Sequence, residues 1–79
     1  MAAQLSFKYD RVGDILYIDK VSPYAEQETE ELGDDVIARL NPTTGEVENL
    51  EVFFFSTRLL RSDIFSLPVT ADFRLVGRS

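Results

Sequence analysis

The sequence predicts an α+β domain: an antiparallel β-sheet of four to five strands, built from two hairpins plus a C-terminal strand, with one short helix near residues 56–66. Three observations predict it. Apolar residues alternate with polar ones in several short runs, which is the period of a half-buried strand. Turn-forming clusters separate those runs at Arg11-Val12-Gly13-Asp14 and at Asn41-Pro42-Thr43-Thr44-Gly45. Ser56 stands ahead of a stretch with helical character that Pro68 stops.

Leu5, Phe7 and Tyr9 alternate with Ser6, Lys8 and Asp10, giving a first strand. In the turn that follows, Gly13 is expected to take the positive φ of a tight loop. Ile15-Leu16-Tyr17-Ile18 is a continuous β-favouring run, as expected of a central strand covered on both faces. Ser22-Pro23 ends it, because proline cannot donate to a ladder. Residues 24–32 are open to two readings. Ser22 would cap a helix with Pro23 at its first position and Gly33 beyond its end, and Glu26, Glu28, Glu30 and Glu31 suit helix propensity. Only Tyr24, Ala25 and Leu32 are apolar, however, so that helix would bury almost nothing. The alternative is a charged edge strand, since charge keeps a sheet edge from pairing with other chains.

Val36, Ala38 and Leu40 alternate with Ile37 and Arg39. After the second turn, Glu46 to Phe55 reads as a strand with Leu50, Val52 and Phe54 on one face. Val47 falls out of phase, which calls for a bulge near Glu48-Asn49. Ser56 caps the helix, with Leu59, Leu60, Ile64 and Phe65 on its buried side. Val69, Ala71, Phe73 and Leu75 then alternate with Thr70, Asp72 and Arg74 as a final strand. Short connections predict that neighbours in sequence pair. The covered face would hold Phe7, Tyr9, Val36, Leu40, Leu50 and Val52 under Leu59, Leu60 and Phe65. One helix cannot also cover the apolar residues of both parities at 15–18 and 53–55. A second subunit is therefore expected on the remaining face, making a homo-oligomer, a dimer, through Ile15, Tyr17, Phe53 and Phe55.

With 79 residues the chain makes one domain, residues 1–79. A domain of this size buries only about 60–65% of the surface its unfolded chain exposes, so its stability margin is narrow. Cysteine, histidine and tryptophan are absent. No disulfide framework can compensate for the small core. Ser–His and Cys–His nucleophiles are excluded, and zinc loses its preferred ligands. The four glycines lie far apart, and none opens a phosphate-binding loop. No catalytic residue, metal site or cofactor is expected. No segment is long or apolar enough to cross a membrane, and the first residues lack the pattern of a signal peptide, so the expected location is the cytoplasm.

The net charge of −6 is unevenly spread. Residues 1–25 are neutral and residues 52–79 carry +2. Residues 26–51 hold nine acids against Arg39 alone, a net of −8. A net-acidic chain is repelled by phosphates, so nucleic acid is not an expected partner. The carboxylates are the remaining candidates for chemistry. On a strand, Glu26, Glu28 and Glu30 would lie on one face about 6–7 Å apart, where a divalent cation would relieve their repulsion. Glu31, Asp34 and Asp35 complete the candidate ligand or partner surface. The Gly33-Asp34-Asp35 order does not match a calcium loop, and a charge run is most often a solvated edge. Glu51 sits inside an apolar strand. Under a covering subunit it would need a partner such as Arg39 on the neighbouring strand.

These residues resemble the domain of unknown function 2283 family, small bacterial and archaeal proteins. The resemblance is carried by Tyr9-Asp10, Asp14, Leu16-Tyr17-Ile18, the Glu28–Glu31 acids, Gly33 and Val36-Ile37. It continues with Gly45, Val47, Leu50-Glu51-Val52 and Ser56, and covers about residues 7–60. The chain departs at Asn41, where the family has an acid, and at Asn49, where it usually has glycine. The resemblance implies a mostly antiparallel sheet with one helix and favours the extended reading of residues 26–32. It implies no activity. The reading that fits best is a small, non-enzymatic, self-associating interaction module. The alternatives are a carboxylate site for a divalent cation or small ligand, and an antitoxin-like accessory protein whose acidic face covers a basic partner.

Overall fold

Asp10 shapes the first hairpin. Its Oδ1 accepts hydrogen bonds from the backbone N–H of Val12 (3.0 Å) and Gly13 (3.2 Å), so a side chain supplies the turn that joins β1 (Ser6–Asp10) to β2 (Ile15–Asp19). The positive φ of this turn falls on Asp14 (57°) and not on Gly13. Gly13 leaves room instead: a Cβ there would lie 3.0 Å from Asp10 Oδ2 and 3.2 Å from Ile15 Cδ1, tight contacts that these side-chain ends would have to ease.

The computed structural model describes residues 4–61 and 64–77. After the first hairpin come β3 (Glu28–Gly33), β4 (Val36–Leu40), β5 (Val47–Phe53) and a single-turn helix, α1 (Phe55–Arg58). The acidic segment is thus a strand. β3 and β4 are joined by Asp34 and Asp35, both at positive φ (52° and 62°), as a two-residue hairpin requires for its twist to match the strands. Asn41 closes the next turn by accepting from the N–H groups of Thr43 (2.8 Å) and Thr44 (3.0 Å). Opposite the end of β4 the register slips between Arg39, paired with Asn49, and Leu40, paired with Val47. Glu48 is the extra residue, so the out-of-phase Val47 does mark a bulge.

All pairings are antiparallel, in the order β1-β2-β5-β4-β3. Sequence neighbours pair with one exception: β2 lies against β5, and the connection over residues 20–27 carries the chain past β5 and β4 to the far edge. Residues directly opposite in a ladder share a face, so the register sorts the side chains. One face holds Phe7, Tyr9, Leu16, Ile18, Leu50, Val52, Val36 and Ala38. The other holds Lys8, Ile15, Tyr17, Asn49, Glu51, Phe53, Ile37 and Arg39.

The core lies on the first face and is small. Val36, Ala38, Leu50 and Val52 are buried, with Leu16, Ile18, Leu32, Leu40, Val47, Phe55, Leu67 and Val69 packed around them. The cover differs from expectation. Leu59 and Leu60 are exposed, and Phe55, Leu67 and Val69 take their place. Phe7 and Tyr9, at the edge strand, are left largely open.

The helix is one turn long and does not reach residue 66. Residues 62 and 63 lie outside the described residues. A helix this short gains stability only from a buried stripe, and Leu59 and Leu60 supply none. Ser56 is not its N-cap. Phe54 holds that position at φ 55°, without a side-chain cap bond. This left-handed residue ends β5 at Phe53, points Phe54 to solvent and sends Phe55 to the core side. The expected C-terminal strand is absent: Val69–Leu75 has strand periodicity but no strand partner among the described residues.

Leu50→Ala should lower stability by about 2–5 kcal/mol, since it opens a cavity in the middle of the core. The melting temperature of so small a domain then falls by roughly 10 °C or more. Val12→Ser, at a fully open turn position, should stay within about 0.5 kcal/mol of the parent. Thermal unfolding followed by circular dichroism measures both.

Candidate functional site

Three side-chain clusters stand out, and each ties backbone segments that local sequence leaves separate. The first is built on Asp14. Its Oδ1 accepts from the Tyr9 hydroxyl (2.6 Å) and the Ser56 N–H (2.9 Å), and its Oδ2 accepts from Ser56 Oγ (2.7 Å). The Asp14 carbonyl also accepts from the Phe55 N–H at 3.1 Å. Tyr9 and Phe55 rings pack at 5.9 Å between centroids. One carboxylate thus fastens the first hairpin to the start of α1, 42 residues further on. The donated bonds from Tyr9 and then Ser56 hold the Asp14 carboxyl below the usual carboxylate range, and the same bond raises the Tyr9 phenol.

The second cluster lies at the other end of β2 and β5. Buried Asn49 donates Nδ2 to Asp19 Oδ1 (2.8 Å) and to the Val21 carbonyl (2.6 Å), while its Oδ1 accepts from Gln27 Nε2 (2.7 Å). Bulged Glu48 accepts from Tyr24 OH (2.6 Å), Gln27 Nε2 (3.1 Å) and Asn41 Nδ2 (3.2 Å). These bonds hold the 20–27 connection across the sheet. The Glu48 bond pushes the Tyr24 phenol up to about 12, and the bonds from Tyr24 and Gln27 pull Glu48 down.

The third cluster is Arg58, whose side chain is only 4% exposed. Its Nη1 donates to Asp34 Oδ2 at 3.1 Å, and its guanidinium lies 4.1 Å from the centre of the Phe65 ring. Among the described residues, Nε and Nη2 are buried without a hydrogen-bond partner. Arg61 reaches the other Asp34 oxygen at 3.9 Å. The cluster joins the β3–β4 turn to α1 and the segment after it.

The residues singled out in the sequence are placed as follows. Glu28, Glu30 and Glu31 are exposed along β3, with Glu26 exposed just before it. Asp34 and Asp35 form the adjoining turn, and Asp34 is committed to Arg58. Among the described residues no three acidic side chains converge on a point that would hold a metal ion. Glu51 is nearly buried on the second face and paired with Arg39, which the register of β4 and β5 places diagonally across from it. Arg39 also donates to Thr29 Oγ1 at 3.3 Å. Ile15, Tyr17 and Phe53 gather on that same second face, half-buried around Glu51. Phe55 does not join them, because the turn at Phe54 takes it to the core side. The Asn49–Gln27 pair was not anticipated. Its one signal was a buried-type strand carrying asparagine where the family usually has glycine.

Fold and clusters define a small antiparallel-sheet domain whose polar side chains act as clamps between strands and connections. Among its described residues no helix is long and apolar enough to cross a membrane. The chain belongs to the family described as protein of unknown function (DUF2283), whose model matches residues 6–56. The match ends on Ser56, so the whole Tyr9–Asp14–Ser56 clamp falls inside it. No curated protein and no solved structure matches the chain.

Asp14→Asn keeps a residue that tolerates the left-handed backbone while removing the charge. Because the folded pKa of Asp14 is depressed, its contribution is complete above about pH 4, the unfolded value, and is lost as pH falls through the lower folded value. The variant should melt earlier at neutral pH and lose less stability than the parent on acidification. Thermal melts between about pH 2 and 7 test this. Equal acid slopes for both proteins would rule the clamp out as a pH-linked element.

Arg58→Met should leave the melting temperature unchanged or raise it, since two buried nitrogens without partners among the described residues are removed and a side chain of similar shape remains. Asp34→Asn should lower it, because the buried guanidinium loses its charge partner. Differential scanning calorimetry of the two variants checks the sign of each shift.

Proposed function

We propose that this domain is a self-associating interaction module, a homodimer whose role is binding and not chemistry. One observation carries the reading. Only four apolar residues are buried, whereas thirteen large hydrophobic side chains are more than a third exposed among the described residues. Leu60 (87%), Ile64 (89%) and Phe73 (77%) are the most open of those in the segment after α1. Single exposed apolar residues are ordinary, but thirteen of them beside a core of four are more than a small domain ordinarily leaves open. A core of four residues is also a meagre source of stability, and association is the usual remedy in a chain without disulfides or a metal. The second sheet face adds Ile15, Tyr17, Ile37 and Phe53 around the Arg39–Glu51 pair. A cysteine-free chain that depends on burial suits a reducing compartment such as the cytoplasm.

Sedimentation equilibrium should give twice the 9.0 kDa chain mass, and the melting temperature should rise with chain concentration, as it must when folding and association are linked. A 9.0 kDa species at every concentration up to the millimolar range, with a concentration-independent melt, would overturn the reading.

A further inference from the structure

The segment from Thr70 to Leu75 alternates like a strand but forms none, and a turn at Val76-Gly77 follows it. Its backbone N–H and C=O groups have no backbone partner among the described residues. Arg74 donates both Nε (3.1 Å) and Nη2 (3.0 Å) to Asp72 Oδ2. In an extended chain residues i and i+2 share a side, so this pair marks one side as polar. Phe73 and Leu75 belong to the other, and both are more than two-thirds exposed.

The sheet offers two free edges, β1 and β3. β3 presents Glu28, Glu30 and Glu31 to solvent, and charge of this kind discourages strand addition. β1 does the reverse. Leu5, Phe7 and Tyr9 are open on one side (37%, 63% and 43% exposed), and Lys8 is the only cation within the strand on the other.

We propose that residues 70–75 of one copy add as an antiparallel strand to the β1 edge of a second copy, reciprocally, with Asp72 opposite Lys8. The inference rests on the self-association reading and names its interface. The register follows from the side chains. With Asp72 opposite Lys8, Phe73 stands opposite Phe7, Leu75 opposite Leu5 and Ala71 opposite Tyr9. Ala71, Phe73 and Leu75 then fall on the core face with Leu5, Phe7 and Tyr9. A slip by one residue would send Phe73 to the polar side. A slip by two sets Arg74 against Lys8 in one direction and leaves Lys8 without a charged partner in the other. Leu67 and Val69 anchor the segment on its own core, so the exchange needs no unfolding. Two-fold symmetry makes two such strands per dimer, and it satisfies both a free backbone and an open apolar edge at once.

The chain has no cysteine, so Lys8→Cys with Asp72→Cys places the only two thiols at the proposed contact. Directly opposed Cα atoms in an antiparallel pair lie within disulfide range. Mild oxidation should give a disulfide-linked dimer on a non-reducing gel. A disulfide-closed monomer would overturn the proposal by placing the segment on its own β1. A dimer by sedimentation that forms no disulfide would overturn it too, while leaving self-association standing. A monomer without disulfide would remove both. In the cysteine-free chain, Lys8→Glu and Asp72→Lys should each raise the dimer dissociation constant about 2- to 10-fold, and the two together should recover it. Absence of recovery would reject the register.

Discussion

Only the pairing of β2 with β5 joins the first hairpin to the other three strands, and both ends of that seam are locked by side chains. At one end, Ile15 lies opposite Phe53, and Asp14 and Ser56 hold the flanking residues together. At the other, Asp19 lies opposite Asn49, and the asparagine grips Asp19, Val21 and Gln27. The core follows from the seam: Leu16 meets Val52 and Ile18 meets Leu50 across it, and Val36 and Ala38 complete the cluster from the far side of β5. Without the seam the domain is two separate pieces, a two-stranded hairpin and a three-stranded remainder whose core residues lose Leu16 and Ile18 as cover. A two-stranded hairpin on its own is marginal in water.

Polar side chains replace much of what a larger core would do. Glu51 is nearly buried on the second face and would be costly there unpaired, but Arg39 is placed diagonally by the register. Glu48 is ejected from the ladder by the bulge and becomes the acceptor for three donors. Asp14, Asp34 and Asp35 occupy left-handed backbone that aspartate tolerates better than most residues. The acidity of the chain is thus of two kinds. Part of it is turn geometry and hydrogen-bond acceptance, and the β3 glutamates, with Glu26 just before them, form an exposed charged surface.

Local features were legible in the sequence because their causes are local. Alternation in Val36–Leu40, the turn at Asn41–Gly45 and the bulge signalled by Val47 depend on residues close in the chain. The edge strand at Glu28–Gly33 was ambiguous by composition, and resemblance to the family favoured the extended reading that the fold adopts. Long-range features were not legible. Nothing in Ile15–Ile18 says that its neighbour lies more than thirty residues away. Ser56 looked like a helix cap because serine before a helical stretch usually is one, yet its hydroxyl is taken by Asp14. Phe54 broke the strand alternation through a left-handed conformation that bulky residues rarely adopt. The periodicity of Val69–Leu75 predicts a strand that the fold does not form, because periodicity cannot say that a partner is present.

The middle strand of this sheet is also the last in sequence order among the described residues. During synthesis β1 to β4 leave the ribosome before β5 exists, so the two hairpins must wait as separate halves. In that interval β2 and β4 present bare edges with Leu16, Ile18, Val36 and Ala38 exposed to neighbouring chains, the condition under which strands pair with the wrong partner. Closing the seam then fixes contacts between distant residues at one late step, which makes folding slow relative to stability. The glutamates along β3 keep the outer edge of the waiting half inert while β5 is made.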